Sequence, residues 1–560
     1  MSFKQDSYPG MISQGVETQH RHFPQYQGQK PDFEYIVIGS GMGGGIFADD
    51  LVDRTRDQKR ILILEAGSYL YPTHVYNVSR IPNNVLARRF GSRTFEQGTF
   101  PQDPEKRQHY IHEELQLNFG GRSIFWSGLI PEVQKWELDF FPNAVANDLE
   151  SRFLKLAGEK MNESQTLGNT AKQIVEELKK TDLENDFVIR ETPRALHQPY
   201  INSDEFFIEP TGVFNTAELL INQVGVPHDK IDYEGKGLFM LLNHYVEDIQ
   251  NNINNDYKLI VKDVLTREFK TFYARNVVLA AGSIGSPKLL KRSTIGRELP
   301  QNVQDLIGVG LTDHPTTDWV NTRVTKIGDF NIPRGSNAKI TLYSKGARDV
   351  NNRVIFPFNI EMNVNHEYWH LRENDPDAEI PIPGAAGDSS LQIKFSFANC
   401  LDDGNRIRKA PDYQYRPYIE FQNLSWMSHL AEDRFPKVAG WDPNRPYDEI
   451  WSLLDSTAKR VIGKFKNDAT VATTDDDIPH DKDFGWGTVH HSVGTLRMPY
   501  KPSIYSPVSQ NSVVDEDLRV KGTQNLYVSD MSVLPFSSAA NPVRHMAGLA
   551  LRLSAKLAGD

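Results

Sequence analysis

Two short stretches of this sequence carry residue types that can do chemistry. The first, residues 490–498, reads HHSVGTLRM, in which two adjacent histidines precede a turn of small residues. Neighbouring residues on a strand point to opposite faces, so at most one of His490 and His491 faces a given site. A neutral imidazole whose pKa lies near the working pH suits removal of a proton from a hydroxyl group.

The second stretch is a glycine-rich loop, Gly39-Ser-Gly41-Met-Gly-Gly44, which directly follows an apolar run. In such a G-x-G-x-x-G loop the first glycine permits a tight turn and the second lets a pyrophosphate approach the backbone. The third lets helix and strand pack closely, and the helix N-terminus faces the phosphates. Glu65 ends the next apolar run, where an acid can accept hydrogen bonds from both ribose hydroxyls. The pattern predicts dinucleotide binding.

Hydrophobic periodicity indicates the elements that must position these groups. FEYIVI at 33–38 and RILILE at 60–65 are two buried strands separated by a helix-length gap, which is typical of a β-α-β unit. Further predictions are helical spacing over 150–185, a β-meander over 236–265, a buried strand at 276–282, strands with long polar loops over 318–480, and a closing helix over 541–559.

The closing helix begins with a capping signal of its own. Asn541 directly precedes Pro542. Asparagine is a favoured N-cap, and proline is tolerated at the first helical position because no N–H is needed there. The pair predicts that Asn541 caps this helix.

Composition excludes several classes of function. The 560 residues are too many for one simple core and predict two or more domains, interleaved or in series. A formal net charge of −11 gives the chain no electrostatic reason to bind nucleic acid or an anionic membrane. The single cysteine, Cys400, excludes an internal disulfide and nearly excludes a cysteine-based metal site.

The N-terminal segment, residues 1–30, is polar and lacks the apolar stretch of a secretory signal. We expect an arm or a disordered lead-in there, and an oligomer contact is an open use for it. No apolar run approaches about 18 residues, so no transmembrane helix is expected. The default location is the cytoplasm.

Four further motifs follow one another along the chain. They are AAGSIGSPKLLKRSTIG at 280–296, GVGLTDHP at 308–315, HHSVGTLRM at 490–498 and NLYVSDMSVLPFSSAANPVRHMAGLALRLS at 525–554. With the glycine loop, they resemble the ordered signatures of the glucose-methanol-choline (GMC) flavin oxidoreductases. The resemblance implies an α/β fold, α+β overall, in which an interrupted Rossmann-type domain binds FAD and a β-sheet-based domain binds substrate.

The same resemblance implies domain boundaries. After the arm, residues 31–317 form the first part of the FAD-binding domain, with a helical insertion at about 140–200. Residues 318–480 form the substrate-binding domain, and residues 481–560 complete the FAD-binding domain.

The resemblance also implies residue roles. His491 falls on the family's catalytic histidine, the base, whereas His490 projects away. Asn541 faces the flavin N1–C2=O edge and the substrate oxygen, and Asp530 contacts the ribitol or pyrophosphate unless it only caps a turn. Val246 contacts the adenine end through its backbone. The implied cofactor-binding residues are Gly39, Gly41, Gly44, Glu65, Gly120, Gly121, Ser123, Val246, Ala281, Gly282, Asp530, Pro542 and Val543; no metal ligand is predicted.

One branch of the family is resembled more than others. LNFGGRSIFWSG at 117–128 is similar to a segment of pyranose oxidases and related glycoside oxidases, and GNRIRKAPDYQYRPYIEF at 404–421 is similar to a strand pair of pyranose oxidases. Phe125 stands where covalently flavinylated members have histidine, and Trp126 follows as in that branch. The resemblance implies non-covalent FAD and oxidation of a secondary hydroxyl, at C2 or C3 of a pyranose, in a sugar or glycoside. Oxygen and a quinone stay open as electron acceptors.

Other patterns compete with this interpretation. HEYWH at 366–370 fits the H-E-x-x-H zinc motif, but closely following prolines disfavour the long helix that the motif needs. TTDDDIPHDKD at 473–483 is typical of a solvated loop, with an active-site gate as the alternative. His545, one turn into the last helix, is a second histidine candidate for the site.

Other functions stay open as well. A GMC-type alcohol oxidase or dehydrogenase acting on a non-sugar alcohol is the main alternative. A flavin-dependent lyase or light-driven decarboxylase would use a cysteine and an arginine near the flavin, for which Cys400 with Arg406 or Arg408 are the candidates. A non-catalytic flavin-binding scaffold is the last.

Overall fold

The first two apolar runs form neighbouring parallel strands. In the computed structural model of the protein, β1 (Phe33–Ile38) pairs with β2 (Arg60–Leu64), and helix α1 (Met42–Thr55) connects them. Most residues of both strands are buried, as is usual for parallel strands that are covered on both faces. The predicted β-α-β unit is confirmed.

The structure describes residues 31–69, 95–97, 114–164, 169–196, 213–224, 237–252, 255–314, 316–333, 336, 338–345, 358–364, 389–409, 417–420, 446–467, 470–471, 491–502 and 506–560. The remaining strands are β3 (Phe95–Gln97), β4 (Glu114–Gln116), β5 (Phe187–Glu191), β6 (Gly237–Leu241), β7 (His244–Asn251), β8 (Tyr257–Asp263), β9 (Phe269–Leu279), β10 (Thr316–Val324), β11 (Lys326–Ile327), β12 (Phe330–Asn331), β13 (Ala338–Ser344), β14 (Phe358–Val364), β15 (Ser389–Phe397), β16 (Asn399–Cys400), β17 (Arg406–Lys409), β18 (Pro417–Glu420), β19 (Phe465–Asn467), β20 (Thr470–Val471), β21 (Leu526–Val528) and β22 (Phe536–Ser537).

The remaining α-helices are α2 (Lys135–Leu138), α3 (Asn143–Asp148), α4 (Leu154–Lys160), α5 (Asn169–Lys179), α6 (Thr216–Val224), α7 (Gly282–Arg292), α8 (Thr294–Glu298), α9 (Gln301–Gln304), α10 (Pro446–Ile462) and α11 (Val543–Ala558). A π-helical turn, Leu149–Phe153, joins α3 to α4, and 3₁₀ turns occupy Gly121–Ile124, Asp182–Asn185 and Met531–Val533.

The first sheet joins distant parts of the chain. Its strand order is β6-β2-β1-β9-β8-β7, and β21 pairs with β9 on the side opposite β1. Strand β9 is long enough to pair with three strands: its N-terminal half is antiparallel to β8, and its C-terminal half is parallel to β1 and β21. Since β21 comes from residues 526–528, the end of the chain completes a sheet that its beginning started. Helix α11 then packs on α1.

The second sheet is antiparallel, with strand order β10-β15-β14-β13-β5. Four of its strands lie between residues 316 and 397. Its apolar face is deeply buried, with Ile340, Ile360, Ile393 and Phe395 all at 0% exposure. Two sheets in a mixed α/β protein agree with the predicted fold class.

The details differ from the sequence-based expectations in three places. Strand β5 lies within the predicted helical insertion yet pairs with β13 in the second sheet. Strand β6 does not join a meander but pairs in parallel with β2. Helix α10 interrupts a region expected to hold only strands and loops, although Pro446 at its first position is a helix-start signal. Long-range pairing is invisible to local periodicity, and the domain boundaries stay predictions.

Among the residues that the structure describes, no helix combines the length and the apolar character needed to cross a membrane.

The packing of α1 on the end of β21 leaves no room for a side chain at Gly43. A methyl group there would lie 1.9 Å from the carbonyl oxygen of Ser529. Overpacking of this kind costs about 1–3 kcal/mol, so we expect Gly43→Ala to lower the Tm of the apoprotein by at least about 2 °C. Gly41→Ala is the matched control, because no atom lies within 4 Å of its added methyl group. Equal melting temperatures for the two variants in calorimetry would contradict this packing.

Candidate active site

The glycine loop lies where the strands of the first sheet end. Gly39 has φ +108°, and a methyl group on it would lie 2.4 Å from the carbonyl oxygen of Ala280. A methyl group on Gly44 would lie 2.1 Å from the carbonyl oxygen of Gly39, so helix and strand touch there. Gly41 differs from both, because no atom lies within 4 Å of its added methyl group. Gly39 and Gly44 therefore serve packing, and Gly41 borders open space.

That open space fits a pyrophosphate. Gly41 is the N-cap of α1, and no side chain caps the helix, so its first N–H groups are free for a phosphate. Nearby, the buried Oδ1 of Asn118 has no hydrogen-bond partner in the described chain, while its amide nitrogen bonds the carbonyl oxygens of Phe119 and Gly121. The loop is therefore a suitable cradle for the diphosphate of a dinucleotide, and these residues would hold it.

Glu65 lies at the end of β2 beside this loop. Its Oε2 accepts hydrogen bonds from the backbone N–H of Ser40 at 3.0 Å and from the Ser40 hydroxyl at 2.7 Å, and its Oε1 accepts one from Gly67 N–H at 2.8 Å. Burial raises the pKa of Glu65, and these hydrogen bonds oppose the shift. The acid thus orders the loop; its contact with a ribose stays a prediction.

The segment around Gly120 packs against the glycine loop, as the site prediction requires. Gly120 N–H donates to the Ser40 hydroxyl at 2.9 Å, and a methyl group on Gly121 would lie 3.1 Å from Cα of Gly41. The Ser123 hydroxyl donates to the carbonyl oxygen of Gly120 at 2.6 Å and lies 2.9 Å from the Thr216 hydroxyl. Ser123 is therefore fully engaged in shaping this turn.

Thr216 was missed by sequence reasoning. Its hydroxyl donates to the carbonyl oxygen of Ser40 at 2.8 Å and so ties α6 to the glycine loop. The loop spacing carried no signal for it, because the two residues lie far apart in the chain.

The next predicted cofactor residues cluster at the start of α7. Asp530 Oδ2 accepts hydrogen bonds from Gly282 N–H at 3.0 Å and from the Ser286 hydroxyl, which also lies 3.0 Å from Ala281 N. Asp530 Oδ1 caps the 3₁₀ turn through Ser532 N–H at 2.9 Å. The capping role of Asp530 is thus observed, and its contact with FAD stays a prediction.

Val246 lies apart from this cluster, on β7. Its carbonyl oxygen accepts a hydrogen bond from Arg292 Nη2 at 2.6 Å. His244 is the first residue of β7, and its backbone N–H donates to the carbonyl oxygen of Glu65. The proposed adenine contact of Val246 stays a prediction.

His491 lies between a second histidine and Asn541. Its Nδ1 is 2.6 Å from Nε2 of His314, and the two ring centroids are 4.7 Å apart. Its Nε2 is 3.5 Å from the amide nitrogen of Asn541. Asp313 anchors both histidines, since its two carboxylate oxygens accept the backbone N–H groups of His314 at 2.7 Å and His491 at 3.3 Å. The two predicted catalytic residues therefore lie together.

His314 was not assigned a role from sequence, although it stands in the quoted GVGLTDHP segment. Burial, reinforced by the positive charge of Lys394, lowers its pKa to about 3, so its ring is neutral at neutral pH. When His491 Nδ1–H donates to His314 Nε2, the lone pair of His491 lies on Nε2, on the side of Asn541. His314 then fixes the orientation and the tautomer of His491.

The N-terminus of α11 corrects one expectation. Pro542 is the N-cap, the helix begins at Val543, and no side chain caps it. Asn541 therefore does not cap the helix, and its amide instead points toward His491. The first N–H groups of α11 stay free, so the positive end of the helix dipole is directed at the same place.

Asp313, His314 and His491 offer three ligand atoms within 4.8 Å of one another, a spacing that a metal ion can use. Both carboxylate oxygens of Asp313 already accept backbone hydrogen bonds, and the two imidazoles bond each other. Of the imidazole nitrogens of the cluster, the buried Nδ1 of His314 has no hydrogen-bond partner among the described residues.

A buried acid supports the segment that carries Asn541. The Ser538 hydroxyl donates to Glu137 Oε1 and accepts a hydrogen bond from Ala540 N–H at 3.1 Å. Glu137 Oε2 accepts from Gln134 N–H at 2.7 Å. Burial raises the pKa of Glu137 to about 7, although these donors oppose the shift.

The other sequence candidates lie away from this cluster or outside the described residues. His545 is a buried core residue stacked on Phe141, with ring centroids 5.8 Å apart, and burial lowers its pKa to about 3. Trp126 Nε1 donates to the carbonyl oxygen of Phe214 at 2.7 Å. His490, the HEYWH segment and residues 473–483 lie outside the described residues.

The cysteine–arginine alternative gains no support from geometry. Cys400 is buried, and its Sγ lies 3.8 Å from the carbonyl oxygen of Pro502. Arg406 donates to the carbonyl oxygen of Asp403, and Arg408 forms an ion pair with Glu420 at 2.5 Å. No described contact brings either arginine to the thiol.

The protein is an α/β protein with a glycine loop at the strand ends of its first sheet and with His491 beside Asn541 at the N-terminus of its last helix. Two family models described as GMC oxidoreductase match residues 234–316 and 401–550, in the order of that family. Over these two segments the chain is similar to the GMC oxidoreductases, a family whose members bind FAD.

Individual relatives are distant. Pyridoxine 4-oxidase from Microbacterium luteolum is 28% identical over 49% of this chain, and the chain spans about half (49%) of the length of that relative. Pyranose dehydrogenase from Agaricus campestris is 22% identical, with 90% of each chain covered. The crystal structure of pyridoxine 4-oxidase from Mesorbium loti superposes with a TM-score of 0.61 at 17% identity, covering 94% of this chain and 99% of that one. That likeness shows the shared fold.

The open space at Gly41 gives a test of the cofactor cradle. Gly41→Ala has an ordinary backbone φ of −64° and meets no protein atom, so the fold is retained. Its methyl group would occupy the approach of a pyrophosphate, and we expect the Kd for FAD to rise at least about tenfold. Fluorescence titration of the apoprotein measures it. An unchanged Kd would place the diphosphate elsewhere.

The buried Glu137 gives a pH-dependent prediction. Its folded pKa of about 7 lies above the ordinary 4.5, so ionisation costs stability as pH rises from about 4.5 to 7, by about 3 kcal/mol in all. Glu137→Gln carries no such cost, and its Tm relative to the unaltered protein should increase over that range. A Tm difference for Glu137→Gln that is constant with pH would contradict the burial effect.

Proposed function

We propose that this protein is an FAD-dependent oxidoreductase that converts a CH–OH group into a carbonyl group. One observation carries the proposal: Nε2 of His491 faces Asn541 at the uncapped N-terminus of α11, while Nδ1 of His491 is held by His314. A base, an amide and a helix dipole thus converge on one place.

The roles follow from this geometry. Bound FAD supplies a hydride acceptor, the flavin N5, for the hydrogen on the carbinol carbon. Nε2 of His491 takes the hydroxyl proton, and the hydrogen bond to His314 keeps its lone pair directed at that proton. The amide of Asn541 orients the substrate oxygen. The free N–H groups at the start of α11, which begins at Val543 after Pro542, favour negative charge that develops nearby.

We assign the substrate as a sugar or glycoside, oxidised at a secondary hydroxyl on C2 or C3 of a pyranose. The segments at 117–128 and 404–421 support this choice, as does the similarity to a pyranose dehydrogenase. Similarity to a pyridoxine 4-oxidase favours the alternative, a non-sugar alcohol. FAD is proposed to be non-covalent because Phe125 stands where covalently flavinylated members have histidine. Oxygen or a quinone-type molecule takes the electrons.

Several further properties are proposed with it. The protein is placed in the cytoplasm, with small-molecule partners only. A homo-oligomer stays open, with residues 1–30 as one candidate for its contact.

Replacing the base should separate cofactor binding from chemistry. We expect His491→Ala to bind FAD in stoichiometric amount, because no cofactor contact is assigned to this ring. Anaerobic reduction of its flavin by substrate should be at least about a hundredfold slower, as is usual when a general base is lost. Stopped-flow absorbance of the flavin measures this rate.

His545→Ala is not a suitable control because that ring is packed in the core. His491→Gln serves better, since it keeps a polar group of similar length without a base. Near-normal flavin reduction by either variant would overturn the assignment of His491.

A further inference from the structure

The second sheet has two faces of opposite character. Directly paired residues on antiparallel strands share a face, and side chains alternate between faces along each strand. One face is apolar and forms the core described above. The other is polar across β13, β14 and β15: its paired residues are Thr341, Glu361 and Lys394 in one row, with Tyr343, Asn359 and Ser396 in the next.

This polar face is largely covered. Thr341 is 1% exposed, Asn359 is 1% exposed and Glu361 is 8% exposed. A solvent-facing side of an antiparallel sheet explains polar residues only where water reaches them. Here protein covers part of the face: the Thr341 hydroxyl lies 2.7 Å from the Thr192 hydroxyl, and the Tyr343 hydroxyl accepts Glu132 N–H at 3.0 Å.

Contacts place this face beside the candidate active site. Asn359 Nδ2 donates to the carbonyl oxygen of Ala539 at 3.1 Å, two residues before Asn541. Ser396 pairs directly with Thr316, two residues after His314. The charges of Glu361 and Lys394 also act on the titration of the His314 ring. Glu361 and Lys394 lie in the row next to the row of Asn359 and Ser396.

Of the two charged residues in that row, Glu361 forms an ion pair with a described residue and Lys394 does not. Glu361 Oε2 accepts a hydrogen bond from the Lys339 ammonium at 3.0 Å. Burial opposes ionisation of Glu361, but the ammonium groups of Lys339 and Lys394 hold the pKa of its carboxyl at about 2. Lys394 is half-buried, and the described side chains form no ion pair with it. A fixed carboxylate and an available ammonium thus lie side by side.

We propose that Glu361 and Lys394 bind vicinal hydroxyl groups of the substrate and thereby select a polyhydroxylated substrate over a simple alcohol. This inference rests on the proposed function. A carboxylate accepts a hydrogen bond from one hydroxyl, and an ammonium donates to the next. Hydrogen bonds to charged groups are about twice as strong as those between neutral groups. An alcohol with one hydroxyl uses that group at His491 and has none left for Glu361 or Lys394.

The test uses the FAD-loaded enzyme with D-glucose, methyl β-D-glucopyranoside and propan-2-ol. Lys394→Met removes an ammonium that forms no ion pair with a described carboxylate; because its charge also favours ionised Glu361, the effect of this variant counts only when its Tm is retained. The sugar concentration for half-maximal flavin reduction should rise at least about tenfold, with a limiting rate within threefold. The second-order rate constant for propan-2-ol should stay within threefold.

Two further variants sharpen the test. Glu361→Gln should act on the sugars as Lys394→Met does; because it also leaves Lys339 without its partner, its effect counts only when its Tm is retained. Arg190→Met is the matched control: Arg190 lies on the same row at the β5 edge, beyond Thr341, and pairs with Glu132 at 3.1 Å. It should leave all three substrates unchanged.

The outcomes distinguish the two levels of the argument. If no hydroxylated substrate reduces the flavin, or His491→Ala reduces it normally, the proposed function fails. If sugars reduce the flavin through His491 but Lys394→Met shows unchanged sugar dependence, this inference alone fails. Equal losses for sugar and propan-2-ol would also overturn it, because they would mark a general defect.

Discussion

The site depends on one buried carboxylate. Asp313 is fully buried, and its two oxygens accept the backbone N–H groups of His314 and His491, which lie 177 residues apart in sequence. A carboxylate that accepts backbone hydrogen bonds in a low-dielectric interior holds its partners strongly. This contact fixes both histidine backbones, so that the short distance between their rings follows from the main chain.

The hydrogen bonds of both backbones to Asp313 explain why two imidazole rings remain in contact. Two imidazoles in contact repel each other if both are charged, and burial of His314 ensures that its ring stays neutral. The remaining nitrogen of His491 then faces Asn541. The helix that follows Asn541 is uncapped, which leaves its dipole directed at this place. The neutral ring of His314 and the uncapped N-terminus of α11 both act on the region around His491.

Sequence reasoning predicted the parts of this arrangement that depend on local spacing. The strand, glycine loop and helix at residues 33–55 follow from hydrophobic periodicity, and His491 and Asn541 were found through motif resemblance. The role of His314 was missed because it depends on a contact across 177 residues. The capping role given to Asn541 was wrong, since propensity describes a typical helix start, and here the amide has a tertiary partner. The pairing of β5 with the second sheet is likewise non-local.

The second sheet shows what the alternation of polar and apolar residues in a sequence can and cannot predict. The alternation in β15, SSLQIKFSF, predicts two faces, but it cannot tell whether the polar face meets water or protein. Only the fold shows that Glu361 and Lys339 are buried together. A buried ion pair gains little over well-packed apolar residues, because desolvation offsets most of the attraction. Stability alone therefore gives no reason to keep these charges next to His314, whereas a ligand rich in hydrogen-bonding groups does.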